Sequence, residues 1–189
     1  DRSVSRGLGD VYKRQDERCV DPSSTDSNFG SAKKHFFSKV NISNNNIFRI
    51  RGEEKPEIEA SNYTELLKTK TETIKNIPSL DLCLLGIGGD GHTASIFPHE
   101  LKKLSDKSDC VVGINPDSGQ KRVSLSIKQI NNSKEVIFHV CGSGKKDVVD
   151  MIISKRDKYL DLPASHILPK SKNLSWYLDF DSAETFMGT

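Results

Sequence analysis

Residues 81–98 read DLCLLGIGGDGHTASIFP, and the fold turns on them. Residues 80–86 form a short apolar run with a single early charge, which suits a central strand of a parallel sheet. Gly86, Gly88, Gly89 and Gly91 then allow a tight turn. The pattern predicts a short helix that begins near His92 or Thr93 and stops near Pro98. A strand that feeds a glycine turn and a helix sets side chains and backbone amides at the carboxyl end of the sheet, where open α/β folds bind ligands.

Working toward the C-terminus, strands are expected at 110–114 and 122–127, joined by a loop over 115–121. In the second of these, Val123, Leu125 and Ile127 alternate with polar residues. A buried strand over 136–141 is followed by a turn at Gly142 and Gly144. Lys145 opens a helix to about Ser154, with Val148, Val149 and Ile152 facing inward. A last short strand is expected over 174–178. Toward the N-terminus, helices are expected over 28–40 and 58–75, with turn material at 41–46 and a short strand over 47–50. Strand and helix patterns alternate from residue 80 onward, which predicts an α/β domain with helices covering a mostly parallel sheet.

The chain has 189 residues, enough for one domain with a sizeable core and too few for two ordinary ones. Lys and Arg total 28 and Asp and Glu 26, and the excess lies wholly in residues 1–15. From Asp16 onward the charges balance, so no chain-wide basic field suggests nucleic acid, and a local cationic pocket is the better expectation. Residues 1–15 (DRSVSRGLGDVYKRQ) show neither helical nor strand period and are expected to be a non-native or disordered leader to a single domain over 16–189. Cys19, Cys83, Cys110 and Cys141 lack metal-ligand spacing. The last three lie in apolar strand-like contexts, so buried free thiols in a reducing compartment, the cytoplasm, are expected. No apolar run approaches the ~18 residues of a membrane span.

Gly86, Gly88 and Gly91 match GxGxxG, but the following helix is short and no acidic strand end follows about twenty residues later, so a dinucleotide site is poorly supported. No GK[ST] follows the glycines, Ser95 is outside a GxSxG elbow, and no HExxH or HxH suggests a metal. Asp90 and His92 are more informative. A histidine titrating near neutrality can take a proton from water, and a carboxylate two residues away can orient its ring. The same spacing also suits a helix-capping aspartate beside a structural histidine, and both readings stay open at this point.

This loop closely resembles the signature segment of the 6-phosphogluconolactonases, whose superfamily also holds the glucosamine-6-phosphate isomerases and deaminases. Other segments agree in the same order: DERCV with DSN at Asp26 to Asn28, RVSLS at Arg122 to Ser126, CGSGKKD, and LPASHILPKSKNLSWYLD. The resemblance runs from Asp16 to about Ala183. It implies a Rossmann-like three-layer fold and a monomer that hydrolyses a phosphorylated sugar lactone in the oxidative pentose phosphate pathway, with no metal or organic cofactor. It assigns water activation to His92, supported by Asp90. Arg18, Arg122 and Lys145 would bind phosphate or stabilise oxyanion charge, with Asn28, Gly88 and Gly91 also in the substrate pocket. Phe97 stands where the deaminases have a proton-carrying glutamate, which favours the lactonase branch.

Two departures from the pattern stand out. Gly89 replaces a proline common in the family, which loosens the loop. The first strand and its glycine-rich loop, expected some way before DER, have no counterpart, so an N-terminally truncated domain with an incomplete pocket is expected. Two alternatives remain, a non-catalytic sugar-phosphate-binding domain and an amino-sugar-phosphate isomerase or deaminase.

Overall fold

The computed structural model describes residues 12, 13, 15–105 and 107–186. In chain order its elements are β1 (Tyr12–Lys13), β2 (Asp16–Arg18), α1 (Asn28–His35), β3 (Ile47–Phe48), α2 (Pro56–Lys70), β4 (Glu72–Ile74), β5 (Ile77–Ser79) and β6 (Cys83–Leu85). They continue with β7 (Cys110–Ile114), β8 (Lys121–Leu125), α3 (Ile127–Ile130), β9 (Val136–Val140), α4 (Lys146–Ile153) and β10 (Leu174–Leu178). Buried side chains from Ile50 to Ile167 form one continuous core. No helix among the described residues is long and apolar enough to cross a membrane.

The α/β class is as expected, but the pairing is mixed rather than mostly parallel. Strands β10, β9 and β6 are parallel, with Leu174 and Cys83 both paired to Val136. Strands β2, β8 and β7 are antiparallel. The connection from β7 to β8 explains the difference. It is a tight loop in which Asn115 Oδ1 accepts from the amides of Asp117 and Ser118, and Gly119 has φ +68°. So short a link can only return the chain antiparallel, because a parallel pair needs a crossover of a dozen or more residues.

Helix α2 starts on Pro56, whose missing N–H costs nothing in a first turn. Glu57 and Glu59 near its start and Lys68 and Lys70 near its end complement the helix dipole. It ends earlier than the expected residue 75, because Lys75 (φ 54°) and Asn76 (φ 62°) form the turn of a β4–β5 hairpin. The expected helix over 28–40 divides into α1 and a 3-10 turn at Phe37–Lys39. Helix α4 buries Val148, Val149 and Ile152 as expected. Cys83 and Cys110 are buried thiols, each pushed up to about 12 by desolvation. Cys141, one residue past β9, is exposed, contrary to the buried position expected.

The helix expected at His92 is absent. The chain instead folds back, with the Gly88 amide donating to the His92 carbonyl at 2.9 Å and the Gly91 amide to the Gly88 carbonyl at 3.0 Å. Thr93 Oγ1 donates to the Gly86 carbonyl at 2.9 Å, and Ala94 takes φ 50° to close a Thr93–Ile96 bridge. These bonds consume the groups a helix would use. Of the expected leader, residues 1–11 and 14 lie outside the described residues. Tyr12–Lys13 pair parallel with β3, and Gln15 accepts from the Leu125 amide at 2.7 Å.

The returning loop packs on β7 at Gly113, where a Cβ would stand 2.0 Å from the Ser95 carbonyl oxygen. Gly113→Ala should therefore lower stability to urea by about 1–3 kcal/mol through overpacking. Gly144→Ala, where an added Cβ meets nothing within 4 Å, should stay within about 0.5 kcal/mol of the unsubstituted chain in the same titration.

Candidate active site

Two arginines face each other across a strand pair. The antiparallel register of β2 and β8 sets Arg18 directly opposite Arg122, and like charges so placed repel. Arg18 Nη1 donates to the Asp26 carbonyl at 2.7 Å. The Nε atoms of both arginines are buried and have no hydrogen-bond partner among the described residues. A buried donor left unpaired is costly, and an oxyanion between the two guanidiniums would satisfy both. Burial, and then the neighbouring Arg18, lower the Arg122 pKa from its ordinary value, while Asp16 and Asp26 oppose that shift.

Glu17, between Asp16 and Arg18 in sequence, has a different task. It is only 2% exposed. Its carboxylate accepts from the amides of Asn28 and Phe29 at 2.7 Å and from Ser27 Oγ at 3.2 Å. It therefore caps α1 and leaves Arg18 facing the cleft. Asp16 is 7% exposed; it accepts from Ser95 Oγ at 2.7 Å and from Asn28 Nδ2 at 3.2 Å. The Ser95 contact ties β2 to the His92 loop.

His92 Nδ1 lies 2.6 Å from Asp90 Oδ1, which also accepts from the His92 amide at 3.1 Å. A carboxylate partner holds the ring proton on Nδ1 and leaves the Nε2 lone pair free to act as a base. Burial works against the Asp90 carboxylate, but the amide, charge and ring of His92 together hold its pKa below the ordinary value. The imidazole sits so close to Gly88 that a Cβ there would lie 2.1 Å from Nδ1. Gly91 has φ +81°, and a Cβ on it would meet Leu162 at 2.8 Å. Phe97 is 1% exposed. Its ring centroid lies 4.8 Å from that of His92 and 5.6 Å from Arg122 Cζ; a cation–π contact of this kind is worth roughly 0.5–2 kcal/mol.

A cleft of about 230 Å³ is lined by Gln15, Asp16, Arg18 and Asn28 from the front segment, Gly86, Ile87, His92 and Ala94 from the loop, and Arg122 from β8. Of the residues expected from the sequence, Arg18, Asn28, His92 and Arg122 thus share one cleft. Asp90 stands behind the imidazole. Gly88 and Gly91 give steric room rather than cleft wall. Lys145 does not line this cleft but adjoins the loop, its Nζ 3.9 Å from where a Gly89 Cβ would be. Sequence reasoning missed Gln15, Asp16 and the Ser95 contact. A signal for Asp16 was available, since alternation along β2 puts it on the same face as Arg18.

The chain matches the family described as glucosamine-6-phosphate isomerases/6-phosphogluconolactonase over residues 13–176. It is 38% identical over 156 residues to the 6-phosphogluconolactonase of Treponema pallidum, covering 82% of this chain and 64% of that one. It thus spans a little under two thirds of that relative's length. A crystal structure of a protein called devB superposes with a TM-score of 0.87 at 36% identity, covering 98% of this chain and 79% of that one. The 6-phosphogluconolactonase from Trypanosoma brucei gives a TM-score of 0.79 at 28% identity, over 92% of this chain and 73% of that one. With the family match running from β1 into β10 and across the whole cleft, the chain belongs to the glucosamine-6-phosphate isomerase/6-phosphogluconolactonase family.

Proposed function

We propose that the chain hydrolyses 6-phosphogluconolactone to 6-phosphogluconate. The observation that carries this reading is a carboxylate-backed imidazole in the same cleft as two guanidiniums with unpaired buried Nε atoms. His92 Nε2 takes a proton from water as the water oxygen attacks the lactone carbonyl carbon. The tetrahedral oxyanion then collapses, the bond from that carbon to the ring oxygen breaks, and the imidazolium returns the proton to the ring oxygen. Asp90 keeps the ring oriented and stabilises its charged form between the two proton transfers.

Arg18 and Arg122 hold the phosphate, so that binding energy from the non-reacting end of the substrate orients the carbonyl. Lys145 adds positive charge beside Gly89 of the loop, and Asn28 lines the same pocket. Gly88 and Gly91 admit the bend that carries the imidazole. Phe97 cannot relay protons, which favours lactone hydrolysis over amino-sugar isomerisation. Four free cysteines suit the reducing cytoplasm.

His92→Ala should lower kcat by about 10²- to 10⁴-fold, measured as lactone loss above the spontaneous rate. Unchanged turnover would remove His92 from the role of base. Arg122→Ala should act mainly on KM and raise it about 10- to 100-fold, the worth of a charge-assisted hydrogen bond. A KM equal to that of the unsubstituted chain would place the phosphate elsewhere.

A further inference from the structure

We propose that Phe97 is a positioning residue that holds the proton-accepting imidazole and the anion-binding guanidinium at a fixed separation. The inference rests on the functional reading above and deepens it. Phe97 is buried, and its ring touches His92 and Arg122, two groups carried by different elements.

Each of those groups is otherwise incompletely held. Among the described residues the His92 ring is hydrogen-bonded only to Asp90, through Nδ1, and one hydrogen bond leaves the ring plane free to turn about its axis. The Phe97 ring closes that freedom on one side, and the close backbone of Gly88 limits the imidazole as well. Arg122 stands opposite Arg18 with its Nε unpaired, so repulsion would displace its guanidinium. The electron-rich face of an aromatic ring attracts that cation without neutralising it, which keeps the full positive charge available to a phosphate. A carboxylate there would hold the arginine equally well but would compete with the anion. An aliphatic side chain would fill the volume but give no attraction to the cation.

The backbone around Phe97 suits this task. Pro98 follows immediately, and the Phe97 carbonyl accepts from the Glu100 amide at 2.9 Å, so the ring projects from a segment with little freedom. His99 stacks on the same ring at 5.9 Å and 27°.

The test compares Phe97→Leu, Phe97→Tyr and Phe138→Leu in the 189-residue chain. Phe138 is a core control, buried and stacked on Trp176 at 4.1 Å, with no place in the site. Phe97→Leu is expected to raise KM about tenfold through loss of the cation contact and to lower kcat about tenfold or more through misplacement of the imidazole. Its affinity for orthophosphate, measured by calorimetry, should fall about as much as KM rises. Phe97→Tyr should restore all three to within about threefold, because the ring remains. Phe138→Leu should lower Tm yet leave kcat, KM and phosphate affinity within about twofold.

Phosphate affinity and KM unchanged in Phe97→Leu would overturn the proposal, as would equal kinetic losses in Phe138→Leu. If the unsubstituted chain binds orthophosphate but does not hydrolyse the lactone, the functional reading fails. The phosphate affinities of the Leu and Tyr variants then still decide the positioning role, supporting it if they differ and overturning it if they match. An unsubstituted chain that does not bind orthophosphate overturns it directly.

Discussion

The imidazole of His92 occupies the space that any side chain at residue 88 would need. That single steric fact organises the site. It requires glycine at 88, and it brings the Gly88 amide back to the His92 carbonyl. It also presents Asp90 Oδ1 to the ring nitrogen two residues on. Nothing in a helix would produce this geometry, because residues two apart on a helix point to different faces. The loop therefore forgoes helical hydrogen bonds and satisfies its polar groups by turning back on itself and by the contact from Thr93 to the end of β6.

The second constraint is electrostatic. Strand pairing holds Arg18 and Arg122 side by side. The repulsion is softened by Asp16 and Asp26, which favour the charged guanidinium of Arg122, and by the ring of Phe97. Among the described residues neither arginine is hydrogen-bonded to a carboxylate, so the positive charge stays available. The strain of two unpaired buried donors is the physical basis for an affinity toward oxyanions, since binding removes a cost already present in the folded chain. Sites of this kind trade some stability for function.

Parts of the fold were legible in the residues alone. The strand over 174–178 agrees with β10 in both bounds, and the inward face of α4 was readable from Val148, Val149 and Ile152. Tight apolar runs and a period near four are local properties, so they survive translation into structure. The direction of β8 against β7 was not assigned, although the few residues between them already excluded a parallel pair. The helix at His92 was inferred from the order of strand, glycine turn and helix, and bonds within the loop to Gly86 and Gly88 overrode that expectation. Cys141 was expected inside because its run is apolar, yet the strand ends one residue before it.

The sequence by itself determined the chemistry on offer: an Asp90–His92 pair in a glycine loop, arginines at 18 and 122, and an ordered set of motifs that resembles one enzyme family. These are statements about residue type and near neighbours, which a linear chain displays. Only the tertiary structure decided that Arg18, Asn28, His92 and Arg122 line one cleft while Lys145 adjoins the loop at Gly89. It alone showed Asp16 joined to Ser95 across 79 positions of chain and Phe97 placed between base and cation. Strand register and the closing of long loops set those distances, and both depend on packing of the whole core rather than on any segment of it.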